Sequence, residues 1–342
     1  MHINWMNYRF WNYDGYGRFG RYFVRALARQ GLRITPMLVD QFTEVPGWMR
    51  RMAGLDFSRI TITCMPPHCL PALPGRVWLM TMCEGTRIHK EWIRMCNEKA
   101  ERVLVPCEHN AEAFKASGVR IPIHVVPGGT SPSDFPLVHR NGRRQGSYTF
   151  LALGDRGSRK GWVAVWQAFF KAFEAVDDVR LLIKYRPGGN DLLDTIAGAA
   201  NRDPRITFWR NSVDNPADVY LLADCFAIPS KSEGWGMPHR EAAMMGIPVI
   251  ATRYSGLADG IDGWATRIID DFKLSPVPST AQFVFGEWAE PDEDAVAEAM
   301  RWCYDHPAEA NARAARCAQW LREYQTWDQA AANLIELLGR YG

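Results

Sequence analysis

The stretch IPSKSEGWGMPHREAAMMGIPVIAT, residues 228–252, is the most informative part of the chain. Its apolar start ends at Ser230, and a glycine-containing loop follows at 233–237. Pro238 suits the first turn of a helix, and Gly246 suits its end. The pattern therefore predicts a buried strand, a loop open to ligands, a short helix and a second strand, the succession typical of a parallel α/β sheet.

The loop at 233–237 has the properties of a site for a phosphorylated ligand that is rich in hydroxyl groups. Gly234 and Gly236 let the backbone approach a ligand closely, and the N–H groups of the loop and the helix start suit an anion. Glu233 and Glu241 can face the same ligand, where a carboxylate accepts two hydrogen bonds from a vicinal diol such as a ribose. The alternative is that both carboxylates are solvated surface groups.

Short apolar runs alternate with helical patterns on both sides of this stretch, and the alternation predicts parallel sheets in an α/β fold. Strands are predicted at 32–40, 59–63, 76–82, 102–106, 123–127, 149–153, 180–185, 206–209, 225–230 and 248–252. Helices are predicted at 18–30, 88–99, 110–117, 161–175, 191–200, 216–223 and 238–245, and from about 293 to 341.

The length of 342 residues favours two domains, and a polar, basic segment separates the two series of strands. We expect a first Rossmann-like domain at 1–138, a linker at 139–148 and a second Rossmann-like domain at 149–325. A C-terminal helix at 326–342 is expected to pack back on the first domain. Two doubly wound domains that face a cleft would bind ligands beyond the carboxyl ends of their strands.

Composition narrows the class of protein. The net charge is only +2, and the eight cysteines include no C-x-x-C pair, which favours reduced thiols over a disulfide framework. Cys64, His68 and Cys69 could form half of a zinc site, but their spacing is not standard and no second half is evident, so we expect no metal. Without a secretory signal pattern or an apolar run of about 18 residues, a cytoplasmic protein with no transmembrane segment is expected.

The pattern P-S-x-x-E-G-W-G-M-P-x-x-E, with its Glu-x7-Glu spacing, resembles the retaining glycosyltransferases of family 4, which have the GT-B fold. Residues 83–137 resemble the second half of that family's first domain, and residues 151–169 resemble the start of its second domain. The resemblance implies transfer of a sugar, with retention of configuration, from a UDP- or GDP-linked donor to an acceptor hydroxyl. It implies neither a cofactor nor a metal.

The resemblance also implies roles for residues of the second domain. Glu241 would bind the ribose and Glu233 the hydroxyls of the donor sugar, while Lys160 would neutralise the diphosphate. The family's phosphate-binding arginine is replaced by Asp155, so we expect Arg156 to make this contact, since a leaving diphosphate needs cationic stabilisation. The further donor contacts implied are the backbone of Gly234, Trp235, Gly236 and Met237 and, beside the base, the side chain of Arg210.

The two glutamates are not expected to act as the carboxylate pair of a glycosidase, in which one carboxylate is the nucleophile. The family uses them to hold the donor. The acceptor hydroxyl attacks from the face of the departing phosphate, whose oxygen takes the proton. The catalytic contribution of Glu233, Lys160 and Arg156 would then be positioning and charge stabilisation.

The first domain is expected to bind the acceptor. Gly15 and Gly17 would form a flexible loop that faces the diphosphate, and Glu84 and His109 are placed on the acceptor side.

A row of arginines follows Gly17 and is named here the arginine stripe: Arg18, Arg21, Arg25 and Arg29. At helical spacing these side chains fall within roughly 60° of arc, opposite an apolar face formed by Phe19, Phe23, Ala26 and Leu27. Four like charges side by side repel, so we expect an anionic acceptor, a glycan, lipid or nucleic acid, or contact with an anionic surface. The alternative is a solvated polar face.

Two other functions fit parts of the sequence. Gly15-x-Gly17-x-x-Gly20, followed by Asp40, matches the dinucleotide fingerprint of an NAD-dependent oxidoreductase. That fingerprint needs a preceding buried strand, and residues 4–13 do not form a convincing one. The second alternative is a non-catalytic carbohydrate- or nucleotide-binding protein on the same fold, against which the presence of both glutamates and the lysine argues.

Overall fold

The computed structural model describes residues 1–10, 14–39, 56–140, 146–155, 157–175, 177–185, 198, 203–211, 213 and 215–342. The chain divides into two compact units. The first unit comprises Met1–Gly129, Pro276–Glu287 and Gln325–Gly342, and the second comprises Thr130–Ser275 and Trp288–Tyr324. Each unit contains a six-stranded sheet, and all ladders within these two sheets are parallel, as the alternating pattern predicts.

The described strands are β1 (His2–Tyr8), β2 (Arg33–Val39), β3 (Thr61–Cys64), β4 (Val77–Met80), β5 (Arg87–Ile88), β6 (Arg102–Val105), β7 (Ile123–Val125), β8 (Tyr148–Gly154), β9 (Val179–Tyr185), β10 (Ile206–Trp209), β11 (Cys225–Ala227), β12 (Val249–Thr252), β13 (Arg267–Ile269), β14 (Phe272–Pro276), β15 (Val284–Phe285) and β16 (Glu287–Pro291). The described α-helices are α1 (Gly15–Arg29), α2 (Lys90–Lys99), α3 (Glu108–Ser117), α4 (Trp162–Ala172), α5 (Pro216–Leu221), α6 (Met237–Met244), α7 (Ile261–Trp264), α8 (Glu293–Asp305), α9 (Pro307–Tyr324) and α10 (Trp327–Tyr341). The helix predicted at 191–200 lies almost entirely outside the described residues.

The order of strands in each sheet determines where a ligand can bind. The first sheet runs β2-β1-β3-β4-β6-β7 and the second runs β10-β9-β8-β11-β12-β13. In both sheets the chain starts inside, winds to one edge and then continues from the starting strand to the other edge. The winding therefore reverses between β1 and β3 and between β8 and β11, and the crevice beyond the carboxyl ends of such strands is the usual ligand site.

Strand β1 contradicts the prediction that no buried strand precedes Asp14. It lies between β2 and β3, and its residues from Ile3 to Asn7 are buried. Its polar residues obscured the pattern, but they are hydrogen-bonded inside: Asn4 Nδ2 donates to Thr61 Oγ1 at 3.2 Å, and Trp5 Nε1 donates to Asn7 Oδ1 at 3.2 Å. Buried polar groups with partners are compatible with a core strand.

The unit boundaries differ from those that the sequence suggested. The first unit ends at Gly129 rather than near residue 138, and the segment Pro276–Glu287 returns to it through the pairing of β15 with β5. The first unit also contains α10, whose Trp327 packs against Phe19 with ring centroids 5.1 Å apart. A polar linker composition marks where a chain is solvated, not where its packing partner changes.

Among the described residues, no helix is long and apolar enough to cross a lipid bilayer.

Candidate functional site

Two loops of the second unit meet where the winding of its sheet reverses. Strand β8 is hydrogen-bonded to β11, and both strands end at the same edge of the sheet. The loop after β8 leads through Asp155 to a 3-10 turn at Ser158–Lys160, and the loop after β11 leads through Glu233 to α6. The N–H of Lys231 donates to the carbonyl of Arg159 at 2.8 Å, which ties the two loops together.

The predicted residues Lys160 and Glu233 form a buried ion pair. Lys160 Nζ lies 2.6 Å from Glu233 Oε1, and both residues are only 5% exposed. Ser230 Oγ donates to the same oxygen at 2.7 Å. Gly154, the last residue of β8, makes room for the lysine, because a Cβ built on it would lie 3.1 Å from three carbons of the Lys160 side chain. The structure thus brings together two residues that are 73 positions apart.

Arg159 is a site residue that the sequence interpretation missed. Its guanidinium forms an ion pair with Glu233 Oε2 at 2.9 Å. It also donates to the carbonyl of Ser232 at 2.6 Å and to Asp155 Oδ2 at 3.1 Å. Arg156, which was expected to make the phosphate contact, lies outside the described residues. The signal that could have identified Arg159 is its place directly before Lys160, in the 3-10 turn between β8 and α4.

The surrounding charges keep Glu233 ionised. Burial by itself would raise the pKa of this carboxyl, but Lys160 and Arg159 outweigh burial and hold the pKa well below its usual range. The same two cations, against the opposing effect of burial, lower the pKa of Asp155. Glu233 is therefore an anion near neutral pH that accepts hydrogen bonds from Lys160 and Ser230 and pairs with Arg159, which suits it to holding a ligand rather than to transferring protons.

A second loop supports the one that carries Glu233. The N–H of Glu233 donates to Ser255 Oγ at 2.7 Å, and the N–H of Gly256 donates to the carbonyl of Glu233 at 2.9 Å. Ser255 has a φ of 52°, an uncommon left-handed conformation for a residue with a side chain. Gly256 permits the close approach, because a Cβ there would lie 2.4 Å from the carbonyl oxygen of Gly234. Ser255 was not predicted, since nothing local in the sequence marks it.

Glu241, the second predicted carboxylate, lies inside α6 and is 3% exposed. The hydroxyl of Tyr220, in α5, donates to Glu241 Oε2 at 2.8 Å. The helix begins after Gly236, whose φ of 82° is left-handed, and a Cβ there would lie 2.3 Å from Leu257 Cδ2. The turn therefore requires glycine, while the predicted approach of the Gly236 backbone to a ligand stays a prediction.

Arg210, predicted to lie beside a base, follows the end of β10. Its Nε donates to the hydroxyl of Tyr185 at 2.6 Å, and its guanidinium carbon lies 5.6 Å from the centre of that ring. Tyr185 is the last residue of β9, the neighbour of β8. Arg210 and Tyr185 therefore lie on the edge of the sheet that carries Lys160, although contact with a base stays a prediction.

His239 lies between Glu233 and Glu241 in the motif and is completely buried. Its Nε2 lies 2.9 Å from the carbonyl of Ile228 and donates to it, and its ring packs edge-on against Phe226 and Trp264. Burial lowers its pKa to about 4, so the imidazole is neutral near pH 7.

Because His239 is neutral in the folded protein, we expect the protein to lose stability in mild acid. The histidine of the unfolded chain titrates near 6.5, whereas the folded pKa is about 4. As the pH falls from 6.5 to 4, the unfolded chain binds the proton first, so the free energy of unfolding decreases by up to about 3 kcal/mol. Urea unfolding at several pH values should show that the free energy of unfolding decreases less with falling pH for His239→Gln than for the wild type. Equal pH dependence of the two proteins would contradict this assignment.

The start of α1 corrects the expectation for Gly15 and Gly17. Both residues lie in the first helical turn rather than in a flexible loop, and Asp14 Oδ1 accepts a hydrogen bond from the N–H of Gly17 at 2.8 Å. Gly20 packs α1 against β1, because a Cβ there would lie 1.5 Å from Asn7 Oδ1. A role of Gly15 and Gly17 in donor binding stays a prediction.

The arginine stripe is partly neutralised within the first unit. Arg29 forms an exposed ion pair with Asp328 at 2.6 Å, and Arg21 donates to the carbonyl of Phe10. The predicted apolar face of α1 is confirmed, since its four residues are buried. The repulsion between four unpaired charges, which suggested an anionic partner, is therefore weaker than the sequence implied. The guanidinium carbons of Arg18 and Arg25 lie 6.0 and 5.9 Å from the centre of the Tyr22 ring.

Glu84 and His109 lie on segments that the structure joins. The side chain of Asn110 bridges to the backbone of Cys83, with its Oδ1 accepting and its Nδ2 donating at 3.0 Å each. This places the residue after Cys83 next to the first turn of α3, where His109 lies. Burial lowers the pKa of His109, against a smaller opposite effect of the Gly85 backbone. Contact of either residue with an acceptor stays a prediction.

The half zinc pattern in the first unit has other interactions. Cys64 is completely buried in β3, and burial raises the pKa of its thiol above the usual range. His68 Nδ1 accepts a hydrogen bond from Trp92 Nε1 at 2.9 Å, and the His68 ring stacks on Phe283. In the described part of the chain, no three or more histidine, cysteine or acidic residues are arranged to hold a metal ion.

Curated relatives match this protein over about half of its sequence. The D-inositol 3-phosphate glycosyltransferase of Mycolicibacterium gilvum is 28% identical over 207 residues, which are 52% of this chain and 46% of the relative. The D-inositol 3-phosphate glycosyltransferase of Corynebacterium kroppenstedtii is 29% identical over 213 residues, which are 56% of this chain and 47% of the relative. The chain thus spans about half the length of the curated relatives that it matches.

Solved structures match the whole chain at low sequence identity. Sucrose-phosphate synthase of Thermosynechococcus elongatus superposes with a TM-score of 0.72 at 15% identity, covering 100% of this chain and 99% of that one. HepE of Anabaena, in complex with UDP and glucose, superposes with a TM-score of 0.70 at 12% identity, covering 99% of this chain and 100% of that one. These similarities confirm the predicted GT-B fold.

A family model also matches the sequence across the candidate site. Residues 107–334, two thirds of the chain, match the family described as "Family 4 Glycosyltransferase in conflict systems". The match includes Lys160, Glu233 and Glu241, on which the resemblance to family 4 was based. Because this family is one of glycosyltransferases, the match favours that function over the dinucleotide-fingerprint alternative. The chain therefore belongs to the family 4 glycosyltransferases.

Proposed function

We propose that this protein transfers a glycosyl group from a UDP-linked sugar to an acceptor hydroxyl, with retention of anomeric configuration. The observation that supports this most is the group of Lys160, Arg159 and Glu233 at the reversal of winding beyond β8 and β11. The two cations suit the diphosphate and the fixed carboxylate suits the sugar hydroxyls. We assign the ribose to Glu241, one turn inside α6, as the resemblance to family 4 implies.

The proposed chemistry needs no protein nucleophile. The bond between the anomeric carbon and the β-phosphate oxygen breaks while the acceptor oxygen bonds to that carbon from the same face. The acceptor proton passes to the departing phosphate oxygen, which leaves as part of UDP. Glu233 is a poor nucleophile because Lys160, Ser230 and Arg159 already occupy its oxygens. The contribution of the chain is to hold the donor and stabilise the charge on the leaving group.

We propose UDP as the nucleotide and an anionic polyol or sugar as the acceptor. HepE, which has the same fold, was solved with UDP and glucose, which supports the first choice. The curated relatives are named for D-inositol 3-phosphate, a phosphorylated acceptor, which supports the second. Acceptor contacts are assigned to Arg18, Arg21, Arg25, Glu84 and His109 of the first unit.

Ligand-induced stabilisation tests the donor assignment. A ligand that binds only the folded state raises the melting temperature, and at about 100 times its Kd it contributes about 2.7 kcal/mol. We expect UDP and UDP-glucose to raise the melting temperature, and GDP and NAD to raise it less or not at all. Radiolabelled UDP-glucose should then label phosphorylated polyols but not their neutral counterparts. Stabilisation by NAD alone, or by no nucleotide, would overturn the proposed function.

A further inference from the structure

Arg240 is a completely buried cation within the motif at the candidate site. Its guanidinium donates to three backbone carbonyls: that of Trp235, that of Gly256 at 3.1 Å and that of Asp259 at 2.7 Å. Burying a charge is costly unless it is hydrogen-bonded. The position lies at one of the two unassigned places of the Glu-x7-Glu pattern, so the resemblance gives it no role.

Two indole rings enclose the same guanidinium. Its central carbon lies 3.8 Å from the centre of the Trp235 ring and 4.6 Å from that of Trp264. Trp264 is held in turn, because its Nε1 donates to the carbonyl of Asp259 at 2.9 Å. An arginine suits this place because its flat, forked group can lie on aromatic faces while its edges donate hydrogen bonds.

The carbonyls bound by Arg240 belong to the two loops that build the site. Trp235 lies in the glycine loop, residues 233–237, two positions after Glu233. Gly256 and Asp259 lie in the supporting loop, here residues 255–260. The two loops are already joined at Glu233, through Ser255 Oγ at 2.7 Å and the N–H of Gly256 at 2.9 Å. Arg240 donates hydrogen bonds to both loops. It therefore restrains the conformation of Glu233 and of the N–H groups beside it.

We propose that Arg240 is a positioning residue for donor binding, which fixes the glycine loop in the conformation that receives the sugar diphosphate. The inference rests on the proposed function. Backbone N–H groups stabilise a developing anion only when they are aimed in advance, since reorientation during the reaction would consume the gain. Without the guanidinium, the carbonyls of Trp235, Gly256 and Asp259 would lose this donor, and the two loops would lose one of the links between them.

The first test needs no ligand. Hydrogen exchange should be measured at the amides of Glu233 and Gly256 in the wild type, in Arg240→Met and in Arg205→Met. Arg205 is a matched control, because its guanidinium also lies over a ring, that of Phe169 at 5.2 Å, and donates to the carbonyl of Glu174. We expect exchange at Glu233 and Gly256 to accelerate at least tenfold in Arg240→Met and to stay unchanged in Arg205→Met.

The second test measures affinity. Calorimetric titration with UDP should show binding at least tenfold weaker for Arg240→Met, and wild-type binding for Arg205→Met. Arg240→Lys keeps the charge but not the forked geometry, so its affinity for UDP should lie between those of the wild type and Arg240→Met. It replaces Arg240→Met in both tests if that variant does not fold. Unchanged exchange and unchanged UDP affinity in Arg240→Met, or equal losses in both arginine variants, would overturn the inference. Failure of the wild type to bind UDP would count against the proposed function alone, because the exchange test decides the role of Arg240 independently.

Discussion

Replacing Lys160 by Met is expected to lower the turnover of the sugar donor by about 100- to 1000-fold. That is the usual cost of removing one pre-organised group that stabilises a developing anion. Lys160 is buried, and its Nζ lies 2.6 Å from Glu233 at the point where a diphosphate would leave. The quantity to measure is the rate of UDP release from UDP-glucose under saturating donor.

The matched control for this variant is Lys171→Met. Lys171 forms an exposed ion pair with Asp294 at 2.8 Å in the same unit, and exposed pairs of this kind contribute little to stability. Turnover of Lys171→Met should equal that of the wild type. If Lys160→Met retained wild-type turnover, the leaving-group role of Lys160 would be wrong. A decrease confined to the melting temperature would show that the lysine serves only to neutralise buried Glu233.

Replacing Glu241 by Gln is expected to weaken donor binding by roughly 30-fold, while the fold is retained. The carboxylate would make two charge-assisted hydrogen bonds with the ribose diol, and neutralising the acceptor costs about 1 kcal/mol for each bond. The amide oxygen of glutamine can still accept from Tyr220, which donates to Glu241 Oε2 at 2.8 Å in the wild type. Calorimetric titration with UDP gives the affinity directly.

Two further variants separate ribose binding from general effects. Tyr220→Phe removes one hydrogen bond to Glu241 but keeps the charge, so its loss of UDP affinity should be smaller than that of Glu241→Gln. Glu309→Gln removes a charge from an exposed pair with Arg313 and should change nothing. Equal affinity of Glu241→Gln and the wild type for UDP would show that Glu241 does not contact the nucleotide.

The alternation of strands and helices was visible in the sequence, because each element carries its own local pattern of apolar residues. Strand β1 was missed for the same reason. Asn4 and Asn7 interrupt the apolar pattern around Trp5, and the sequence does not show the buried hydrogen bonds that their side chains make. The return of Pro276–Glu287 to the first unit was also invisible, since pairing of β15 with β5 joins residues about 200 positions apart.

For the candidate site, the sequence alone predicted Glu233, Glu241, Lys160 and the glycine loop, because the local pattern of the loop and its resemblance to family 4 can be read from consecutive residues. Only the tertiary structure showed that Arg159 binds Glu233, that Ser255 supports it and that Arg240 joins the two loops. These contacts connect segments from β8, β11 and β12, and their geometry depends on how neighbouring strands end at one edge of the sheet. Local sequence specifies the loops, whereas the packing of the sheet decides which side chains from different loops meet.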